Sequence, residues 1–165
     1  SRGLGDVYKR QIFIILSKKL KKRKEILSRF GINKTQFRID LLSLFFDCKS
    51  SLTIPEIFER FNKKTNKVTI YRALKSFEQK GLIHQVPDKN NLKKYSLCNL
   101  DSCSPDSHNH QHGHFICYSC DQTFCLDDST IKILKTSSGH IVKNYNLILE
   151  GYCTDCNSSQ TISQN

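Results

Sequence analysis

Two short cysteine pairs, Cys117-Tyr118-Ser119-Cys120 and Cys153-Thr154-Asp155-Cys156, stand 32 residues apart in the chain. Zinc takes four soft or borderline ligands at tetrahedral corners, and two CxxC knuckles supply four thiolates. One pair alone is ambiguous between a redox couple and half a metal site; two at this spacing predict a four-thiolate zinc. Two disulfides, or four unrelated buried cysteines, are the alternative. Nothing points to an oxidising compartment. The short apolar run Ile12–Leu16 precedes its lysines, whereas a secretory signal carries its charges first. No apolar run approaches the ~18 residues of a membrane span. The expected location is therefore the cytoplasm, with no membrane partner and with thiols kept reduced.

The chain has 165 residues and a formal net charge of +11. Residues 18–97 hold 20 Lys or Arg against 7 Asp or Glu, and residues 98–165 hold 3 against 7. A basic half beside a mildly acidic half suggests that the first meets a polyanion. A solvated lysine-rich surface is the plainer explanation, so a structural motif must support the charge. No positioned nucleophile–base pair, phosphate-binding glycine loop or open three-ligand zinc motif is present. Neither an enzyme nor a small organic substrate is expected. A zinc-ribbon redox protein and a nonspecific nucleic-acid binder remain as competing readings.

The elements that must carry these residues read as α+β. Leu16 to Phe30 is a lysine-rich helix with Leu20, Ile26, Leu27 and Phe30 near one face, ended by Gly31. A second helix follows Asn33. Thr53-Ile54-Pro55-Glu56 is a capping box that opens a third, running to about Phe61. Asn66 caps a fourth, with Val68, Leu74 and Phe77 towards the core, and Gly81 closes it. Strands at 82–86 and 95–97 flank a polar, basic turn. Helices followed by a basic hairpin are the pattern of a winged helix-turn-helix, with the fourth helix entering the major groove. Strands at 114–116, 122–126 and 141–149 and a helix from Asp127 or Asp128 to about Leu134 complete a second unit. The expected organisation is a non-native or disordered arm at 1–17, a winged-helix domain at 18–97, a hinge at 98–113, a metal-binding domain at 114–156 and a disordered tail at 157–165.

Two stretches resemble the ferric uptake regulator family of metal-responsive bacterial repressors. Val68-Thr69-Ile70-Tyr71-Arg72-Ala73-Leu74 resembles its recognition helix, and His112-Gly113-His114-Phe115-Ile116-Cys117-Tyr118-Ser119-Cys120 its HxHFxCxxC signature. Gly151-Tyr152-Cys153-Thr154-Asp155-Cys156 is similar to its C-terminal knuckle. The resemblance spans roughly residues 18–156. It implies a homodimer with a winged-helix domain hinged to an α/β dimerisation domain, binding a double-stranded operator with inverted-repeat symmetry. Thr69, Tyr71 and Arg72 are then the candidates for base and phosphate contact, with Lys67 and Lys75 suited to phosphates. Tyr71 alternatively reads as a half-buried core aromatic.

The resemblance also implies a second metal ion at the hinge, one per protomer beside the structural one. Where iron and peroxide sensors are expected to carry a carboxylate, this chain has Cys98. A thiolate favours zinc over Fe2+ or Mn2+. The zinc uptake branch is similar here and at His84, which implies a hinge site from His84, Cys98, one of His110 and His112, and Cys125. Cys125 departs from the carboxylate usual in the family and alternatively reads as a structural cysteine. His112 and His114 share a strand face and can act together. The expected function is a zinc-responsive repressor of zinc-uptake genes. An iron- or peroxide-responsive regulator of the same family is the alternative.

Overall fold

The computed structural model describes residues 3–100, 112–126, 140 and 146–161. Its first half is built on four helices, α1 (Gly3–Arg29), α2 (Gln36–Asp47), α3 (Ile54–Arg60) and α4 (Lys67–Gln79). Three strands complete it: β1 (Leu52–Thr53), β2 (Ile83–Val86) and β3 (Lys94–Leu97), in spatial order β1-β3-β2 and antiparallel throughout. This is a winged helix-turn-helix with the two-residue strand β1 added to the hairpin, where a third-helix cap alone was expected. So short a strand has no periodicity of its own to read.

Local chemistry sets the helix ends. Thr53 Oγ1 accepts from the Glu56 amide, and Glu56 Oε2 accepts from the Thr53 amide at 2.7 Å, a complete capping box worth about 1 kcal/mol. Gly31 (φ 63°) and Gly81 (φ 70°) end α1 and α4 in the left-handed region. In each case the following amide reaches back five residues, Ile32 to the Leu27 carbonyl and Leu82 to that of Phe77, both at 2.8 Å.

One core unites these elements. Leu27, Phe30, Leu41, Leu42, Ile57, Ile70, Phe77 and Leu82 are fully buried within it. Two placements differ from the periodicity. Leu20 is 40% exposed, because the apolar stripe of α1 starts only at Ile26. Val68 is 51% exposed, and Ile70 takes the core position instead, one turn before Leu74 and Phe77. Helix α1 also continues back to Gly3, through residues expected as a disordered or non-native arm. The segment has no proline to block propagation from the packed end.

The second half holds β4 (His114–Cys117), β5 (Thr123–Cys125) and β6 (Ile148–Gly151) in order β5-β4-β6, followed by α5 (Thr154–Thr161). β4 pairs antiparallel with β5 and parallel with β6, with Cys117 opposite Gly151. The tail expected to be disordered from Asn157 is helical to Thr161; the Asn157 amide donates to the Cys153 carbonyl at 2.8 Å, so the second knuckle itself starts the helix. The helix expected after Asp127 and the start of the strand expected from Ile141 lie outside the described residues. Among the described residues no helix is long and apolar enough to cross a membrane.

Candidate metal centre and nucleic-acid interface

Helix α4 presents its two faces unequally. Ile70, Ala73, Leu74 and Phe77 are buried, whereas Lys67, Thr69, Tyr71, Arg72 and Lys75 are exposed. Tyr71 is 55% exposed, outside the core that it would occupy as a packing aromatic. The Asn66 side chain caps the helix by accepting from the Val68 amide at 2.9 Å. Lys67 lies over the Phe58 ring, 5.1 Å from its centroid.

A first cluster of donors gathers where the wing meets the second unit. His84 on β2, His112, His114 on β4 and Cys125 on β5 each offer an atom within 4.8 Å of the others. His84 and His114 are buried. The three rings pack closely, with centroids 4.8 Å apart for His84 and His112 and 4.7 Å for His112 and His114. The His84 ring has sulfur on both sides. Cys125 Sγ is 3.4 Å from Nε2, and Cys98 Sγ is 3.5 Å from Nδ1. Cys125 Sγ also lies 3.3 Å from Ser96 Oγ.

The sheets place these groups by register. His84 stands opposite Ser96 across β2–β3, and His114 opposite Cys125 across β4–β5. Of the residues expected at the hinge, His84, His112 and Cys125 converge. Cys98 approaches the other side of the imidazole, and His110 lies outside the described residues. His114 joins the group; its signal in the sequence was the i, i+2 spacing from His112, which lies just ahead of β4 rather than on it. Two thiols and three imidazoles form a soft-to-borderline donor set that fits zinc, and no carboxylate is among them.

The second cluster is Cys117, Cys120, Cys153 and Cys156, again with donor atoms within 4.8 Å of one another. Parallel pairing delivers Cys117 at the end of β4 beside the residues that follow β6. The Cys153 amide donates to Cys117 Sγ at 3.3 Å. That bond leads in holding the Cys117 thiol down to about 6; burial opposes it, and the Cys120 and Ser119 amides assist. Burial first, then the neighbouring thiols, push Cys120 up to about 12 against the Gln122 amide. The Cys117 thiol thus gives up its proton readily, whereas a cation bound by all four would have to displace that of Cys120.

Comparison with known proteins bears on the whole arrangement. The sequence profile of the Ferric uptake regulator family matches residues 29–150. The chain belongs to that family. Its members are metal-responsive transcription regulators rather than enzymes. A ferric uptake regulation protein of Staphylococcus epidermidis is 26% identical over 136 residues, covering 80% of this chain and 91% of that protein. A zinc uptake regulation protein of Mycobacterium tuberculosis is 24% identical over 139 residues, covering 80% of this chain and all of that protein. A zinc uptake regulator structure, solved with zinc and DNA, superposes with a TM-score of 0.57 at 17% identity, covering 88% of this chain and 97% of that one. The chain thus shares its fold with proteins named both for ferric uptake and for zinc uptake regulation.

Proposed function

We propose that this chain is a zinc-responsive transcriptional repressor that binds an inverted-repeat operator as a homodimer and controls zinc-uptake genes. One observation carries the reading: His84 of the wing lies within 3.4 Å of Cys125 on the second unit. A hinge ion is then held by His84 Nε2, His112, His114 and Cys125, and the structural ion by the four cysteines of the knuckles. When bound, the hinge ion supplies a crosslink between the DNA-reading half and the dimerising half. Cys98 accepts from His84 Nδ1–H and so fixes the tautomer that leaves Nε2 free to ligate. Thr69, Tyr71 and Arg72 of α4 reach base edges, and Lys67 and Lys75 reach phosphates. With the two halves held in one orientation, the spacing of paired α4 helices matches two half-sites on one face of the duplex. The ion shifts the equilibrium only by its preference for that orientation.

The donor set favours zinc over iron, since it is one thiolate and three imidazoles with no carboxylate in the cluster. The test is binding of an inverted-repeat duplex, selected from a random pool, against buffered free metal. Zinc is expected to tighten binding, Cys125→Ala to abolish the response, and Cys98→Ser to weaken it by about 10–100-fold, as loss of an outer partner does. Activation by Fe2+ but not by hinge zinc, or an unaltered response in Cys98→Ser, would refute the proposal.

A further inference from the structure

The hinge cluster is not the sole link between the two halves. The loop after the first knuckle is bound to the wing by contacts that need no ion. Lys94, first residue of β3, is 5% exposed. Its ammonium lies 2.6 Å from Asp88 Oδ1 and donates to the Asp121 carbonyl. Asp88 is equally enclosed, its side chain 2% exposed, and it accepts from the Asn90 and Leu92 amides at 2.8 and 3.1 Å. It therefore shapes the wing turn and anchors Lys94 in one place. Asp121 adopts φ 53°, a conformation uncommon for aspartate, which turns its carbonyl toward Lys94. Beside it, fully buried Thr123 donates to the Pro87 carbonyl at 3.0 Å, and the Ser51 amide donates to the Thr123 carbonyl at 2.9 Å.

A lysine in a basic wing would ordinarily be assigned to DNA phosphates. Lys94 is enclosed between two protein acceptors and cannot serve there. We propose that Lys94 is a positioning residue for operator recognition: with Asp88 and the Asp121 carbonyl it forms a latch, independent of the hinge ion, that seats the wing on the first cysteine knuckle. The latch biases the protomer toward the orientation that the hinge donors then lock. Less of the closing free energy has to come from the hinge ion, because a more populated competent state raises apparent affinity. A buried ammonium broken from its carboxylate is costly, so the latch is strongly favoured either fully made or fully open.

This inference rests on the DNA-binding reading above for its functional half and on geometry alone for the other. The experiment uses the whole 165-residue chain, zinc-loaded, and two variants, Lys94→Met, which keeps the aliphatic stem, and Lys94→Arg, which keeps the charge. Hydrogen exchange at the Ser51 amide reports the seating of the two halves, because that amide is bonded to Thr123, two residues after Asp121. In Lys94→Met, Ser51 exchange is expected to rise at least tenfold, with α4 amides still protected and four thiols still masked. Operator affinity at saturating zinc falls at least tenfold, and the salt slope of random-duplex binding does not change. Lys94→Arg restores part of both. A salt slope reduced by about 0.9 with equal loss on operator and random duplex would make Lys94 a phosphate contact and overturn the proposal. Unchanged Ser51 exchange, or unchanged operator affinity beside raised exchange, would overturn it too. Should the wild type show no zinc-dependent operator binding, the functional reading fails, while Ser51 exchange still decides whether the latch exists.

Discussion

The two halves of this molecule are held together by different physics. Residues 26–95 close a core of aliphatic and aromatic side chains drawn from all four N-terminal helices and the wing. Among the described residues of the second half, the buried apolar positions are Ile116, Cys117 and Cys153, and two of the three are metal-site cysteines. The strand β6 that carries the second knuckle is exposed along Ile148, Leu149 and Glu150. Burial at roughly 1.5–3 kcal/mol per large side chain adds up in the first half, whereas the described residues of the second half offer little of it. The difference assigns stability to hydrophobic contact on one side and to thiolate coordination on the other.

The sharpest way to break that comparison is to remove the structural ion. A chelator strong enough to strip it, or Cys117→Ser, is expected to unfold residues 114–126 and 146–161 while the winged helix survives. Structural zinc sites are worth on the order of 10 kcal/mol or more. Amide exchange resolves the two regions; β4 amides that stay protected after chelation would show that some other contact supports the sheet. The converse cut is Phe77→Ala. It is expected to cost the winged helix about 3–5 kcal/mol in denaturant unfolding while leaving four thiols masked to a thiol reagent. Loss of masking in that variant would mean that the halves fold as one unit.

The smallest effect lies at the contact between the halves. Burial pushes the Asp88 carboxyl up, but the hydrogen bonds from Lys94 and from the Leu92 and Asn90 amides, with the charge of Lys94, outweigh it and hold the group below the ordinary carboxylate range. A folded value below the unfolded one stabilises the protein above about pH 4 and loses that contribution as pH falls through the folded value. Wild type is therefore expected to lose stability on acidification more steeply than Asp88→Asn. Parallel pH profiles of the two unfolding midpoints would remove Asp88 from the account.

How far the sequence could be read followed the strength of each local signal. The capping box at Thr53, the glycine ends at Gly31 and Gly81 and the paired CxxC knuckles each have one dominant physical explanation, and the structure realises the elements that they mark. Val68, expected in the core, lies outside it because it stands six residues before Leu74, whereas Ile70 stands four before Leu74 and seven before Phe77, on the same helix face. The two-residue β1 carried no pattern to detect. The convergence of His84 with Cys125 depends on two separate sheets meeting at the hinge; spacing along the chain does not encode it, and the family resemblance alone put both residues in one site. Lys94 was hidden by its type: a lysine in a basic turn looks solvated until its partners are known. Cys48 lies beside the groove lined by Leu52 and Glu56, and its sequence position gave no role for it.

Because β4 and β6 run side by side in the same direction, the strand that bears one knuckle must wait for a long crossover before the other can join it. Parallel strands cannot be closed by a tight turn. During synthesis the first cysteine pair therefore emerges well before its partners and stands as an incomplete ligand set, open to any thiophilic ion or oxidant. The second pair joins it only once the crossover has been made, so a metal ion that arrives earlier meets half of the ligand set.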